Sequence, residues 1–321
     1  QVKFVDRTFN CDHEHEVSIW RYLLEHDNGV TNFHFEIEAD ILTKEELALL
    51  SRMRPGFMQM EIGVQTTNPE SLREIRRHAD MERLRRTVAQ IGQAHNIHIH
   101  LDLIAGLPYE DYESFARSFN EVYEMQPQQL QLGFLKVLKG SPMHEMAESY
   151  GIQYLSVPPY EVLSTRWLPY EKVLLLKEVE EMVEIYYNSG QFRTAMCLLE
   201  KLFPDAFSLY TALAQFHRKQ GYLQQAQARI SRYQSLMEFM MTTVLSEKER
   251  LCKEVLTYDY YLRENAKSRP RFAPEEDEET KAVCKKRLRA FYAMEETERR
   301  ELPSYGAYDS RQMSKMTHAE L

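Results

Sequence analysis

The chain has 321 residues, of which 43% are hydrophobic and 11% are aromatic, and its formal net charge is −9. This composition supports a folded core and excludes a chain that is disordered throughout. The negative charge argues against a nucleic-acid-binding surface, and no apolar run is long enough to predict a membrane-spanning helix. Only four cysteines are present, with no two close in sequence, which predicts a reduced, cytoplasmic protein.

The first 150 residues alternate five times between a predicted strand and a predicted helical segment. The strands are predicted at residues 2–8, 32–38, 57–65, 97–104 and 129–137. The helices are predicted at residues 14–25, 44–52, 69–78 with 81–94, 111–125 and 141–151. This order predicts parallel strands joined by helical crossovers, which is an α/β architecture.

Local signals mark where several of these helices begin. Thr43 and Glu46 have the spacing of a capping box, in which each side chain accepts a hydrogen bond from the other residue's backbone. Asn68 followed by Pro69 predicts an N-cap and a first helical position. Further helix starts are predicted at Asp80, Asp111 and Ser141.

The third and fourth predicted strands each have one apolar and one polar face. The polar positions are Gln59, Glu61, Gly63 and Gln65 in one strand and His98, His100 and Asp102 in the other. Parallel sheets are normally covered on both faces, so the polar face is expected to meet something other than open water. We therefore expect a partly open (β/α) barrel whose lumen holds a polar ligand.

Two alternatives concern metal and acid–base chemistry in this lumen. His98, His100 and Asp102 could be compared with a two-His-one-carboxylate iron site, but they span about 13 Å of strand, too far for one ion. Glu36 and Glu38 share one strand face and could form a general acid–base pair.

The structural alternative for Glu61 is a buried ion pair with a residue of a neighbouring strand.

From about residue 157 the character of the sequence changes. We predict a linker at residues 151–169, a helical domain at 170–300 and a polar tail at 301–321. Two helix–glycine–aromatic turns, at Gly190 and Gly221, lie 31 residues apart, close to the period of about 34 in tetratricopeptide repeats. The intervening helices lack the small-residue pattern of such repeats, so an irregular helical domain is the favoured interpretation. A non-catalytic protein-binding module built on helical hairpins is the alternative function.

Several segments resemble the radical S-adenosylmethionine (radical SAM) superfamily. They are Phe4-Val-Asp-Arg-Thr-Phe-Asn10, Phe35-Glu-Ile-Glu38, Glu61-Ile-Gly-Val-Gln-Thr-Thr-Asn-Pro-Glu-Ser-Leu-Arg-Glu-Ile-Arg-Arg77 and Leu101-Asp-Leu-Ile-Ala-Gly-Leu-Pro-Tyr-Glu110. The C-terminal part is similar to the helical extension of uncharacterised members, in which a cobalamin-binding domain often precedes the barrel.

The resemblance implies a six-stranded partial barrel, of which this chain would hold strands two to six. It also implies a [4Fe–4S] cluster and cleavage of SAM to a 5′-deoxyadenosyl radical. The cluster motif Cys-x-x-x-Cys-x-x-Cys is absent. We therefore expect an inactive, N-terminally truncated part of a radical SAM enzyme that acts on an unknown substrate. Cobalamin and a missing N-terminal cobalamin-binding domain are its expected further cofactor and intramolecular partner.

The resemblance also assigns roles to individual residues. Glu36 matches a carboxylate near the SAM amino group, and Arg77 matches an arginine that meets the SAM carboxylate. Gln65 and Asp102 match polar groups that hold the ribose. The positions beside the adenine are Ile104 and Gly106. These roles are chemically sensible, since the carboxylate needs a fixed cation and the ribose hydroxyls need acceptors.

Overall fold

The structure is a computed structural model that describes residues 1–224, 228–244, 246–264 and 268–293. It divides into two compact units. The first unit is Gln1–Asn188 with Phe203–Arg218, and the second is Ser189–Leu202 with the described residues from Lys219 onward. The predicted tail at 301–321 lies outside the described residues, and the predicted domain boundaries stay predictions.

Five parallel strands form a curled half-barrel sheet in the first unit, in the order β1-β2-β3-β4-β5. They are β1 (Val2–Lys3), β2 (Phe33–Ile37), β3 (Met58–Gln65), β4 (Ile97–Ala105) and β5 (Gln129–Phe134). Each strand therefore pairs with its neighbour in sequence. The predicted α/β fold, a partial barrel followed by helices, is confirmed.

Helices occupy most of the remaining described chain. Those of the first unit's barrel region are α1 (His13–Glu25), α2 (Lys44–Leu50), α3 (Pro69–Glu74), α4 (Met81–Gln93), α5 (Tyr112–Tyr123) and α6 (Pro142–Glu145). Those that follow are α7 (Tyr170–Val183), α8 (Arg193–Glu200), α9 (Ala206–Gln220), α10 (Arg229–Thr243), α11 (Glu249–Arg263) and α12 (Glu278–Ala293). Within the described ranges, no helix is both long enough and apolar enough to cross a membrane.

The helix starts predicted from the sequence are confirmed. Thr43 and Glu46 form a complete capping box at α2. The Asn68 side chain accepts hydrogen bonds from the backbone of α3, with Pro69 at its first position. The same N-cap contact is made by Asp80 at α4, Asp111 at α5 and Ser141 at α6.

Four predicted element bounds are wrong, and one of them is the end of α6, at Glu145 rather than near residue 151. The first strand, predicted to reach residue 8, ends at Lys3, because Phe4 and Phe9 turn to pack on the ring of Phe35, each with centroids 4.4 Å away. Helix α3 ends at Glu74 rather than near residue 78, and Arg76 follows with φ of +56°. The fifth strand ends at residue 134 rather than 137.

The segment predicted as a linker contains a short antiparallel hairpin. Its strands are β6 (Gln153–Tyr154) and β7 (Val162–Ser164). At the start of β7, the backbone N–H of Val162 donates to the carbonyl of Leu135, 2.8 Å away. This hydrogen bond joins the segment that follows β5 to the hairpin.

The outer edge of β5 is also held by a side chain, a contact that we call the Asn188 clip. A π-helical turn, Glu184–Asn188, continues α7. The Asn188 side chain accepts from the N–H of Leu130 and donates to its carbonyl, both at 2.9 Å. One amide side chain therefore satisfies both backbone groups of a strand residue.

One face of the sheet packs into a core and the other is polar. The core face contributes Phe35, Met58, Met60, Ile62, Val64, Ile97, Ile99, Leu101 and Leu103, all buried. In the polar face the strand register aligns Glu36 with Glu61 and Glu61 with His100, and aligns Gly63 with Asp102. The lumen side chains consequently lie in rows across the sheet.

The second unit is helical in its described part. Asp259 of α11 is buried and accepts hydrogen bonds from the backbone N–H groups of Thr194 and Ala195, at 3.1 and 2.8 Å. This carboxylate satisfies the orphan donors at the start of α8. Phe192 packs on Tyr233 of α10, with ring centroids 4.6 Å apart. The predicted relation to tetratricopeptide repeats stays a prediction.

Candidate functional site

An open pocket lies at the carboxyl ends of the parallel strands. Its volume is about 640 Å³. It is lined by Glu38, Gln65, Ile75, Arg76, Arg77, His78, Ile104, Leu107, Leu135 and Met143. These residues lie at or just after the ends of strands β2 to β5, in α6, or in the segment that follows α3. Ligands of parallel α/β folds bind at this edge, so the pocket is the candidate site.

The pocket offers groups of both charges. The Arg77 guanidinium (Nη2) lies 3.8 Å from the Glu38 carboxylate (Oε1), and the two side chains are 29% and 34% exposed. At this distance and exposure both groups keep capacity for a ligand. Arg76 and His78 add two further basic side chains to the lining. A ligand with a carboxylate and an ammonium group would find a partner for each here.

Gln65 ends β3 in an unusual conformation. Its φ is +69°, and the register of β3 against β4 shifts between Gly63 and Gln65. A Cβ atom at Gly63 would collide with the Gln65 amide nitrogen, so the amide folds back over the glycine. The Gln65 Oε1 atom is buried without a hydrogen-bond partner. The bend therefore leaves Gln65 Oε1 as an unpaired acceptor at the pocket. The Gln65 amide occupies the space that a side chain at position 63 would fill.

The predicted site residues fall into two groups. Gln65, Arg77 and Ile104 line the pocket together. Glu36 and Asp102 are on the same face of the sheet but do not line it.

Gly106 begins the loop after β4, with φ of +89°. A Cβ atom at this position would lie only 2.9 Å from Val162 Cγ1. That conformation and spacing require glycine.

Sequence reasoning missed three of the charged or basic lining residues as cofactor contacts: Glu38, Arg76 and His78. The signal for Glu38 was present, since it is the last polar position of its strand pattern, two residues after Glu36. Nothing in the sequence marks Arg76, whose place in the pocket depends on the left-handed turn after α3.

Beneath the pocket lies a group of charged side chains that we call the lumen cluster: Lys3, His34, Glu36, Glu61, His100 and Asp102. Glu61 Oε2 is 2.8 Å from His34 Nε2 and 3.3 Å from Lys3 Nζ. Glu61 thus contacts a residue of the neighbouring strand as the structural alternative expects, but it is half-buried and its Lys3 partner is 54% exposed, so the predicted buried ion pair is not found. Burial alone would raise the pKa of Glu61, but Lys3 and His34 outweigh it and lower the pKa.

Glu36 has the opposite environment. Burial, then the neighbouring carboxylates of Glu61 and Asp102, raise its pKa above the usual value. His100 is only 5% exposed, and its Nε2 atom lies 2.9 Å from Asp102 Oδ1. Burial disfavours the imidazolium, but Asp102 and Glu61 outweigh burial, so the pKa of His100 is raised.

A second polar group, which we call the loop clamp, consists of Thr66, Glu110 and Ser118. Glu110 is 1% exposed, and its Oε1 atom accepts hydrogen bonds from Thr66 Oγ1 at 2.5 Å and Ser118 Oγ at 3.2 Å. Burial raises the pKa of Glu110 to about 7, against the effect of the two hydroxyl donors. The clamp joins the end of β3 to the start of α5.

Hydrogen bonds beside the clamp tie the same two loops together. Asn68 Nδ2 donates to the carbonyl of Tyr109 at 2.9 Å, and Ser71 Oγ donates to the carbonyl of Pro108 at 2.7 Å. The loops after β3 and β4 both contribute to the pocket, so these bonds fix its rim.

The described residues do not fit an iron–sulfur cluster or another metal centre. Among them, no group of three His, Cys, Asp or Glu side chains could hold a metal ion. Cys11 and Cys197 are exposed, and Cys252 and Cys284 are buried. No chemical step can be assigned to a cluster on these residues.

Curated relatives found by sequence are oxygen-independent coproporphyrinogen III oxidases. The protein from Salmonella typhimurium is 35% identical over 108 residues, covering 31% of this chain and 23% of the relative. The protein from Escherichia coli is 32% identical over 105 residues, with 31% and 23% coverage. The matches thus span about a quarter of these relatives' length, and they support the predicted resemblance to the radical SAM superfamily.

Solved structures with a similar fold include coproporphyrinogen III oxidase from Escherichia coli, described as a radical SAM enzyme. It has a TM-score of 0.40 and 22% identity and covers 56% of this chain and 38% of its own. Another is the radical SAM methyltransferase TsrM from Kitasatospora setae with cobalamin and a [4Fe–4S] cluster bound. Its TM-score is 0.42, with 16% identity and coverage of 49% and 31%.

A family model described as "Protein of unknown function (DUF4080)" matches residues 148–321, more than half of the chain, and the chain belongs to this family.

Proposed function

We propose that the first unit binds SAM in the pocket at the carboxyl edge of the sheet, as part of a radical SAM enzyme. The observation that carries this proposal is the pairing of Arg77 with Glu38 beside the free acceptor of Gln65. SAM is a nucleoside joined to a zwitterionic amino acid. The pocket supplies a cation, an anion and an amide acceptor within one lining.

The amino acid part of SAM would meet the charged pair. Arg77 binds the carboxylate as a charge-assisted hydrogen-bond donor. Glu38, which lines the pocket, accepts from the ammonium group. The sequence resemblance assigned that role to Glu36, which lies on the same polar face two positions earlier in β2 and outside the pocket lining. We propose Glu38 as the direct contact and Glu36 as a carboxylate beneath it.

The nucleoside part would meet the ends of β3 and β4. Gln65 Oε1 accepts from one ribose hydroxyl. Asp102 lies outside the pocket lining, at the register of Gly63, and its carboxylate accepts from the other hydroxyl where the ribose reaches below Gln65. Ile104 provides an apolar contact for the adenine, and Gly106 lets the backbone approach it. Each of these contacts follows the residue roles that the resemblance implies.

The reactive chemistry would come from cofactors rather than from these side chains. SAM cleavage at a reduced [4Fe–4S] cluster supplies a 5′-deoxyadenosyl radical. The described residues do not fit a cluster. We therefore propose that this chain as given binds SAM without cleaving it. The cluster motif and a cobalamin-binding domain would belong to a longer parent enzyme, whose reaction would be a cobalamin-assisted methyl transfer or another radical reaction.

Isothermal titration calorimetry of the full chain with SAM tests the proposal. Arg77→Ala should weaken SAM binding by about 10- to 100-fold, the effect of losing one charge-assisted contact. The matched control is Arg73→Ala, because Arg73 is exposed and does not line the pocket.

Equal affinities for the wild type and Arg77→Ala would contradict the proposed site. A wild-type chain that binds no SAM would favour the alternative, a protein-binding module of helical hairpins.

A further inference from the structure

His100 and Asp102 are the members of the lumen cluster whose geometry bears on the ligand. Asp102 is the register partner of Gly63. A Cβ atom at Gly63 would lie against the Gln65 amide and 3.7 Å from the Arg77 guanidinium. Asp102 therefore lies opposite Gly63 on the neighbouring strand, close to the proposed ligand contacts Gln65 and Arg77.

The two side chains contain polar atoms whose hydrogen bonds are incomplete. His100 Nδ1, His100 Nε2 and Asp102 Oδ1 are all buried without a partner of hydrogen-bond geometry, although Nε2 and Oδ1 are 2.9 Å apart. Buried polar atoms in folded proteins are nearly always paired. The contact is thus electrostatic in this state and has room to become a full hydrogen bond when the site is filled.

The surroundings of His100 favour a positive charge on its ring. The groups that face it are His98 and Asp102 on its own strand, Glu61 on β3, His34 and Glu36 on β2, Gln129 on β5 and Glu184 beyond α7. Four of these groups are carboxylates. Lys3 neutralises part of the Glu61 charge, but its side chain is 54% exposed. The raised pKa of His100 agrees with this balance.

A ligand that covers Asp102 would remove the remaining water from its carboxylate. A buried carboxylate without a counter-charge is costly, whereas one paired with a cation is tolerated. An imidazolium at His100 would supply that counter-charge from below and leave the second carboxylate oxygen for the ligand. Binding would therefore favour the protonated ring.

We propose that His100 is a positioning residue, which holds the Asp102 carboxylate in place for the ribose hydroxyls and couples nucleoside binding to uptake of a proton. The inference rests on the proposed function, because it takes the ribose contact of Asp102 from there. It adds a residue and a proton linkage that the resemblance does not assign.

The test uses 5′-methylthioadenosine, which contains the ribose and adenine but no amino acid part that titrates. Calorimetry from about pH 5.5 to about pH 8.5 brackets the titration of a histidine. Wild-type affinity should fall by about tenfold as pH rises across this range. His100→Gln keeps an N–H donor without a charge, so its affinity should be independent of pH. His100→Leu, which has no donor, should bind more weakly than His100→Gln at every pH.

The matched control is His98→Gln, on the same strand face one alternation deeper, which should keep the wild-type pH profile. Circular dichroism melts identify variants that are folded, and His100→Gln preserves the test if His100→Leu does not fold.

A wild-type affinity that does not change with pH, or a His100→Gln profile equal to that of the wild type, would overturn the inference. If SAM still binds with Arg77-dependent affinity in that case, the proposed function stands. If the wild type binds neither nucleoside, both are overturned.

Discussion

The loop clamp and the lumen cluster both place carboxylates inside the first unit, but they treat the charge differently. In the clamp, Glu110 forms no salt bridge with any described residue and receives two hydroxyl donors, and burial raises its pKa to about 7. In the lumen cluster, Glu61 lies against His34 and Lys3, and its pKa falls. The clamp thus favours the uncharged, protonated form of Glu110, whereas the lumen cluster favours the charged form of Glu61.

The difference indicates two roles: the loop clamp stabilises the rim of the pocket, whereas the lumen cluster is suited to contact a ligand. The hydroxyl and amide bonds of the clamp region join the two loops of the rim to each other, although Glu110 Oε2 is buried without a hydrogen-bond partner. The cluster leaves buried atoms of His100 and Asp102 unpaired. Unpaired buried polar groups reduce stability, and the proposed ligand would complete those of His100 and Asp102.

Glu110→Gln tests the clamp with the largest expected effect. The raised pKa means that the folded chain holds the Glu110 proton up to about pH 7, whereas the unfolded chain loses it near the ordinary pKa of 4.5. The stabilisation linked to this proton is therefore present below pH 4.5 and is lost as pH rises through 7. The wild type should lose about 3 kcal/mol relative to Glu110→Gln between those limits.

Urea unfolding of both proteins across this pH range measures the difference. A constant difference in unfolding free energy would mean that Glu110 has the same pKa in the folded and the unfolded chain, and would contradict the raised pKa.

Thr66→Val should have the next largest effect. The Thr66 hydroxyl donates to Glu110 and accepts from the backbone N–H of Asn68, and the residue is fully buried. Its loss leaves that N–H without its acceptor, so the unfolding free energy should fall by about 2 kcal/mol.

Thr67→Val is the matched control, because the Thr67 hydroxyl bonds only to Ser118 among the contacts described and lies in a half-buried position. If thermal or urea unfolding shows the same loss of unfolding free energy for both variants, the buried Thr66 hydroxyl contributes no more to stability than the half-buried Thr67 hydroxyl.

Glu61→Gln probes the lumen cluster itself. The substitution keeps an acceptor for His34 but removes the charge that faces His34 and His100, and the expected loss of stability is about 1 kcal/mol. The pKa of His100 should fall at the same time, which histidine NMR titration measures. Lys3→Ala should change stability by less than about 0.5 kcal/mol, because Lys3 is 54% exposed. An unchanged His100 pKa in Glu61→Gln would contradict the coupling.

Gly63→Ala should have a small effect on stability and a clear effect on binding. The new methyl group meets the end of the flexible Gln65 side chain, which can move away. We expect a change of less than about 1 kcal/mol in unfolding free energy and at least about threefold weaker SAM binding. Gly106→Ala is the comparison, because its φ of +89° and the contact with Val162 leave no such escape. An unaltered SAM affinity would exclude Gln65 from the site.

Much of the fold could be predicted because its signals are local. The period-2 alternation of β3 and β4 and the caps at Thr43, Asn68 and Asp80 depend on residues a few positions apart. The β6–β7 hairpin was missed because its strands have two and three residues. So short a strand has no recognisable alternation.

The site was less predictable because its contacts join distant parts of the chain. The Thr66–Glu110 bond spans 44 residues and the His34–Glu61 contact spans 27. Both depend on strand register, which alternation alone does not give. The left-handed backbone of Gln65 was also unforeseeable, since such a conformation is usually signalled by glycine.

The Asn188 clip on β5 has a consequence for how the half-barrel meets other chains. An open sheet edge is a template on which a strand from another molecule can add. The amide of Asn188 occupies both backbone groups of Leu130, and Val162 occupies the carbonyl of Leu135 farther along. Strand addition at the β5 edge is therefore blocked by residues of the same chain, which protects this side of the sheet from aggregation through exchanged or stacked strands.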